Sequence, residues 1–96
     1  MSVYVMAGLN VSQPDGFQRY AELALPSLAK YGAKVLAVGP VTSLEGINPW
    51  QRYVLIEFAD QATVDAWYRS PEYQAAIPLR LANAETGFLV AAPGLA

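Results

Sequence analysis

The chain of 96 residues has no histidine and no cysteine, so its reactive chemistry is confined to six tyrosines, two tryptophans, six basic and eight acidic side chains. Lack of histidine removes the group that titrates near neutral pH and the commonest metal ligand. Lack of cysteine removes thiol nucleophiles, thiolate metal sites and disulfides. Proton transfer then falls to Glu, Asp, Tyr or Lys, or to a bound cofactor. Glu57 is the candidate catalytic residue: it is an ionisable group inside the apolar run Arg52 to Phe58, where burial would lift its pKa toward the range of a general base. The same position suits a structural ion pair with Arg52, Arg80 or Lys34. Arg52 and Arg80 could hold a substrate carboxylate or enolate through charge-assisted hydrogen bonds, or could simply neutralise Glu57 or Glu45.

Glu45, in the loop before that run, could reach a pocket mouth or a second subunit, or make only a turn contact with Gly46. Tyr20, Tyr31 and Trp67 could line a small-molecule cavity, since aromatic walls with a few polar tips describe such sites. They also recur at helix-core spacing together with Tyr68, so packing is the competing reading. Tyr73 belongs to Ser70-Pro71-Glu72-Tyr73 and reads as a brace for the helix rather than a substrate contact. No strand-turn-helix glycine motif for phosphate or dinucleotide is present. No metal constellation is seen, a carboxylate-only Mg²⁺ site being left open. Neither cofactor nor metal is expected.

The elements that must carry these groups follow from periodicity. Val3, Val5, Ala7 and Leu9 alternate with Tyr4, Met6 and Gly8, which predicts a strand with apolar groups on both faces. Phe17, Tyr20, Ala21, Ala24, Leu28 and Tyr31 recur at helical spacing up to Gly32, with Pro26 expected to bend the helix. A second strand is expected over Ala33 to Val38, a loop with an irregular strand end around Thr42 to Glu45, and a third strand over Arg52 to Phe58. Asp60 reads as an N-cap for a helix carrying Val64, Trp67 and Tyr68; Ser70-Pro71 opens another piece over Glu72 to Glu85, kinked near Pro78. A last strand covers Gly87 to Ala92. The order β-α-β-β-α-β predicts one α+β, ferredoxin-like domain over residues 1–96, with a four-stranded antiparallel sheet and helices on one face.

Apolar side chains on both faces of the first and third strands leave one sheet face without cover. A second copy packing about 10 Å away supplies it, so a homodimer is expected. Composition agrees: 54% of residues are apolar and 15% charged, which leaves a lone small globule with much apolar surface in water. A net charge of −2 with no run of either sign makes nucleic acid an unsuitable partner. The N-terminal apolar run is too short and too interrupted for a membrane span and lacks a basic start, so no membrane and a cytoplasmic location are expected.

The segments Lys30-Tyr31-Gly32-Ala33-Lys34, Leu44-Glu45-Gly46 and Arg52 to Phe58 resemble domain-of-unknown-function family 1330 of the dimeric ferredoxin-like α/β barrel superfamily. So, more specifically, do Ala66-Trp67-Tyr68, Ser70-Pro71-Glu72-Tyr73-Gln74 and Leu79-Arg80. The resemblance covers nearly the whole chain and implies the fold and the dimer, but brings no established reaction. The wider superfamily includes cofactor-free monooxygenases, muconolactone-type isomerases, haem-handling enzymes and small-molecule binders, so fold alone does not choose among them. Where the family leads us to expect an Arg-Gly-Gly turn after the second strand, this chain has Val38-Gly39-Pro40 and lacks an anion-binding arginine there. Three functions stay open. One is a cofactor-independent, monooxygenase- or isomerase-like enzyme acting on a small apolar oxygenated compound. Another is a non-catalytic binder or sensor of a small hydrophobic ligand, and the third a structural interaction module.

Overall fold

The computed structural model describes residues 1–95. Its elements are β1 (Val3–Val11), α1 (Pro14–Lys30), β2 (Lys34–Gly39), β3 (Arg52–Phe58), α2 (Gln61–Arg69), α3 (Pro71–Asn83) and β4 (Ala84–Pro93). The strands form one sheet in the order β2-β3-β1-β4, every neighbouring pair antiparallel. This is the split βαβ plan that the alternation of strand and helix periods predicts.

Local chemistry sets the helix boundaries. Asp60 Oδ1 accepts from the Thr63 amide at 2.8 Å and from the Thr63 hydroxyl at 2.6 Å, which caps α2. Ser70 then ends α2 and starts α3: its hydroxyl donates to the Trp67 carbonyl at 2.7 Å and accepts from the Tyr73 amide at 3.2 Å. Pro71 follows at the first helical position, where its missing N–H costs nothing. Both α1 and α3 run without a break through Pro26 and Pro78, positions where the sequence predicts a bend and a kink.

Two segments differ from expectation. Residues 42–45 form no strand end. Beyond Gly39 they lie at the outer edge of the sheet with no strand to pair, and the Ser43 hydroxyl instead donates to the Gly46 carbonyl at 3.1 Å. β4 begins at Ala84, three residues earlier than predicted, because β1 extends to Val11 and its last residues need a ladder partner. The pairing passes a bulge beside Gly8 and Leu9 to reach Val11↔Ala84. α3 accordingly stops at Asn83, whose carbonyl accepts the Ser12 and Gln13 amides at 3.0 and 3.1 Å.

The helices cover one sheet face. Val3, Val5, Ile56 and Phe58 meet Ala24 and Leu28 of α1, Val64 and Trp67 of α2, and Tyr73 and Ala76 of α3 in one core. Each fully buried Val, Leu, Ile or Phe contributes about 1.5–3 kcal/mol. The other face carries Tyr4, Met6, Tyr53, Leu55, Glu57 and Phe88 with no layer over it, and the molecule measures only 16 Å across its thinnest axis. Trp50 lies across Gly8 and Gly87 on this face, where a Cβ on Gly87 would overlap its indole. Among the described residues no helix is long and apolar enough to cross a membrane.

Candidate functional site: a cavity between α1 and the sheet

α1 packs against α3 and sets Ala24 and Leu28 onto the sheet, while most of β2 stays exposed. Between α1 and the sheet lies a cavity of about 210 Å³ walled by Ala7 and Leu9 of β1, Phe17, Ala24 and Leu28 of α1, and Val54 and Ile56 of β3. Its size lies a little above the ~150 Å³ apolar cavity that holds benzene in an engineered protein. The polar side chains on its lining are Tyr20, Tyr73, Thr86, Arg52 and Arg80, and no carboxylate is among them.

Tyr20 and Tyr73 join at this cavity through their hydroxyls, 2.8 Å apart. The Ser70 cap fixes the start of α3 and so aims Tyr73 inward, where its ring packs 4.1 Å from that of Trp67 and 6.2 Å from that of Tyr20, centroid to centroid. Trp67 is itself anchored, donating from Nε1 to the Ser27 hydroxyl at 3.0 Å while Ser27 donates to the Ala24 carbonyl at 2.6 Å. Burial pushes the Tyr20 phenol well above its ordinary pKa, and the neighbouring Tyr73 adds to this while Arg80 opposes it. Tyr20 therefore stays a neutral phenol and is no base at neutral pH, and one of the two hydroxyls donates to the other.

Arg80 is 6% exposed. Its Nη1 donates to the Thr86 hydroxyl at 2.6 Å, whereas its Nε is buried without a hydrogen-bond partner. Among the described residues the single ion pair within 4 Å joins Lys30 and Glu72, at 3.1 Å, so Arg80 has no carboxylate beside it. That departs from the usual pairing of buried charges. Arg52 sits exposed at the cavity mouth with its guanidinium 5.1 Å from the Phe17 ring centroid, a cation–π contact.

Of the residues singled out from sequence, Arg52, Arg80, Tyr20 and Trp67 thus meet at one cavity. Tyr31 packs against the core and is not on the lining, and Glu45 is exposed in the β2–β3 loop. Glu57 lies on the opposite sheet face, half-buried, accepting from the Ser2 hydroxyl at 3.1 Å and the Tyr4 hydroxyl at 3.3 Å. The alternation that makes β3 legible accounts for this: Arg52, Val54, Ile56 and Phe58 turn toward the helices, and Glu57 turns away. Nor does Glu57 form the ion pair with Arg52, Arg80 or Lys34 that its position suggests, although Lys34 is its cross-strand neighbour. Tyr73, read from sequence as a brace for the helix, also lines the cavity, and Ser70-Pro71 carries the signal, since it fixes the start of α3 and so the face on which Tyr73 falls.

The cavity can seat an apolar body, with the Tyr20–Tyr73 hydroxyl pair and the Arg80 guanidinium among its lining residues. Its lining has no carboxylate or imidazole to remove a proton.

Comparison with solved structures gives relatives over nearly the whole chain. A protein of unknown function from Rhodopseudomonas palustris superposes with a TM-score of 0.82 at 17% identity, covering 99% of this chain and 83% of that one. A dimeric ferredoxin-like protein of unknown function from a Jannaschia species gives 0.72 at 22% identity, covering 98% and 100%. SnoaB from Streptomyces nogalater, a cofactor-independent oxygenase, gives 0.68 at 12% identity, covering 97% and 92%. At these identities the likeness establishes the ferredoxin-like fold. A search of curated proteins gave no match. The family model described as "Domain of unknown function (DUF1330)" matches residues 2–93, and the chain belongs to that family.

Proposed function

We propose that the chain acts in the cytoplasm as a homodimer, its uncovered sheet faces meeting, and that each copy receives a small apolar oxygenated compound in the cavity beneath α1. The observation that carries the ligand reading is the convergence of Tyr20, Tyr73 and Arg80 on one apolar cavity. A structural module would be better served by a filled core, because protein interiors are otherwise close-packed. The dimer is supported by the apolar outer face and by relatives described as dimeric ferredoxin-like proteins.

Binding without turnover is the reading the geometry supports best, since the cavity holds donors but no base. A second reading, cofactor-independent oxygenation or isomerisation of an acidic substrate, is favoured by the donor set itself, which would stabilise an enolate. The likeness to SnoaB is in keeping with it. Mass spectrometry of the purified protein, run natively and then denatured, separates these. A dimer releasing an unchanged small molecule supports the binder, and oxygen incorporation or rearrangement of that compound on incubation in air supports the enzyme. A monomer with no small molecule, and no stabilisation by any of a panel of small aromatic compounds, would contradict both.

A further inference from the structure

We infer that the occupant of the cavity is an anion, a compound of about one ring or one short chain ending in a carboxylate, and that Arg80 selects it. The inference rests on the reading of the cavity as a ligand site and concerns which class of ligand enters.

Charge is the first observation. The protein carries a net charge of −2, yet the cavity lining has two arginines and no acidic residue. The second is the state of Arg80. A guanidinium has five N–H donors and no acceptor capacity, and it cannot shed its proton at any ordinary pH. Here it is 6% exposed, its polar neighbours are the neutral hydroxyls of Thr86 and Tyr20, and its buried Nε has no partner. Asp65 shares with Arg80 the lining of a second cleft, but it is exposed, makes no ion pair with Arg80 and accepts from Gln61 at 3.0 Å. A desolvated cation without a counter-ion is costly on its own, whereas a carboxylate entering the cavity would supply both the charge and the missing acceptor.

The third observation is the surroundings. The Tyr20–Tyr73 hydroxyl pair adds one neutral O–H donor at the same cavity, the other proton being held between the two oxygens. Its remaining walls are aliphatic or aromatic and suit a body without further polar groups. Arg52 at the mouth, exposed over Phe17, would guide anions inward, a contribution that solvent and salt weaken.

The test compares matched pairs, benzoate with benzyl alcohol and hexanoate with 1-hexanol, by calorimetry on the full chain near neutral pH. The anion of each pair is expected to bind at least about tenfold more tightly than its alcohol, the ratio expected where a charge-assisted hydrogen bond replaces a neutral one. Arg80→Met should bring the pair within about twofold of each other, and Arg52→Gln should keep most of the preference. Equal binding of anion and alcohol by the native chain overturns this inference while leaving the cavity as a ligand site. Loss of the preference in Arg52→Gln instead overturns the assignment to Arg80. Failure of all four probes to bind overturns both the inference and the reading beneath it. The comparison on the native chain decides the matter even if Arg80→Met does not fold.

Discussion

The Tyr20–Tyr73 hydroxyl pair, 2.8 Å apart, should be unequal when cut from either side. Tyr73 is 1% exposed, so Tyr20→Phe leaves its hydroxyl buried with no partner, at a cost of about 1–3 kcal/mol. Tyr20 faces the cavity, where water or Arg80 can satisfy it. Tyr73→Phe should therefore cost only the net value of one hydrogen bond, about 0.5–1.5 kcal/mol. The double variant removes both hydroxyls and leaves no orphan, so its cost should fall short of the sum of the singles by about 1 kcal/mol. For a domain of this size 1 kcal/mol corresponds to about 4–8 °C in Tm. Urea unfolding of the four proteins at one fixed concentration measures all three values, the concentration being held because any self-association adds to apparent stability. Additivity within about 0.3 kcal/mol, or a Tyr73→Phe cost greater than that of Tyr20→Phe, would refute the reasoning.

Three further outcomes are expected. Glu57→Gln should leave benzoate affinity unchanged within about twofold, because Glu57 lies on the other sheet face; a loss of tenfold or more would return it to the site. If two copies meet through the uncovered sheet face as proposed, Leu55→Lys should give a monomer in analytical ultracentrifugation where the native chain gives a dimer, since it would set an ammonium on that face; a persistent dimer would show that the subunits meet elsewhere. Asp60 is held below its ordinary pKa of 3.8, first by the hydrogen bond from the Thr63 side chain and then by that from the Thr63 amide. A lowered folded pKa means that its stabilisation is present above the unfolded value and is lost as pH falls through the folded one. Asp60→Ala should thus lower the urea midpoint at neutral pH and lose less of it on acidification below about pH 4 than the native chain does. A parallel shift at every pH would contradict the cap.

Much of the fold is legible because short-range rules agree along the chain. The strand Arg52–Phe58 is a short run rich in β-branched and aromatic residues, and Asp60 and Ser70-Pro71 announce their helices by cap chemistry alone. The extension of β4 to Ala84 is not local: it depends on the last residues of β1 demanding partners. The candidate site is legible by residue type but not by side. Arg52, Arg80, Tyr20 and Trp67 are the right kinds of residue for one cavity, while Glu57, isolated among apolar neighbours, attracts notice without reaching it. Strand alternation was enough to separate Glu57 from Val54 and Ile56. What it could not supply was which sheet face the helices would cover, because both faces of β1 and β3 are apolar. The cavity depends on how α1 sits between α3 and the sheet, a tertiary outcome with no single-residue signature.

The most direct test is a two-dimensional ¹H–¹⁵N NMR titration of the labelled protein with benzoate, reading which sheet face responds. Shifts are expected at the amides of Leu9, Tyr20, Ala24, Val54 and Arg80, which surround the cavity, with Tyr4, Tyr53, Leu55 and Phe88 on the other face unmoved. Shifts confined to the second group, or none at saturating benzoate, would contradict the assignment of the cavity as the ligand site.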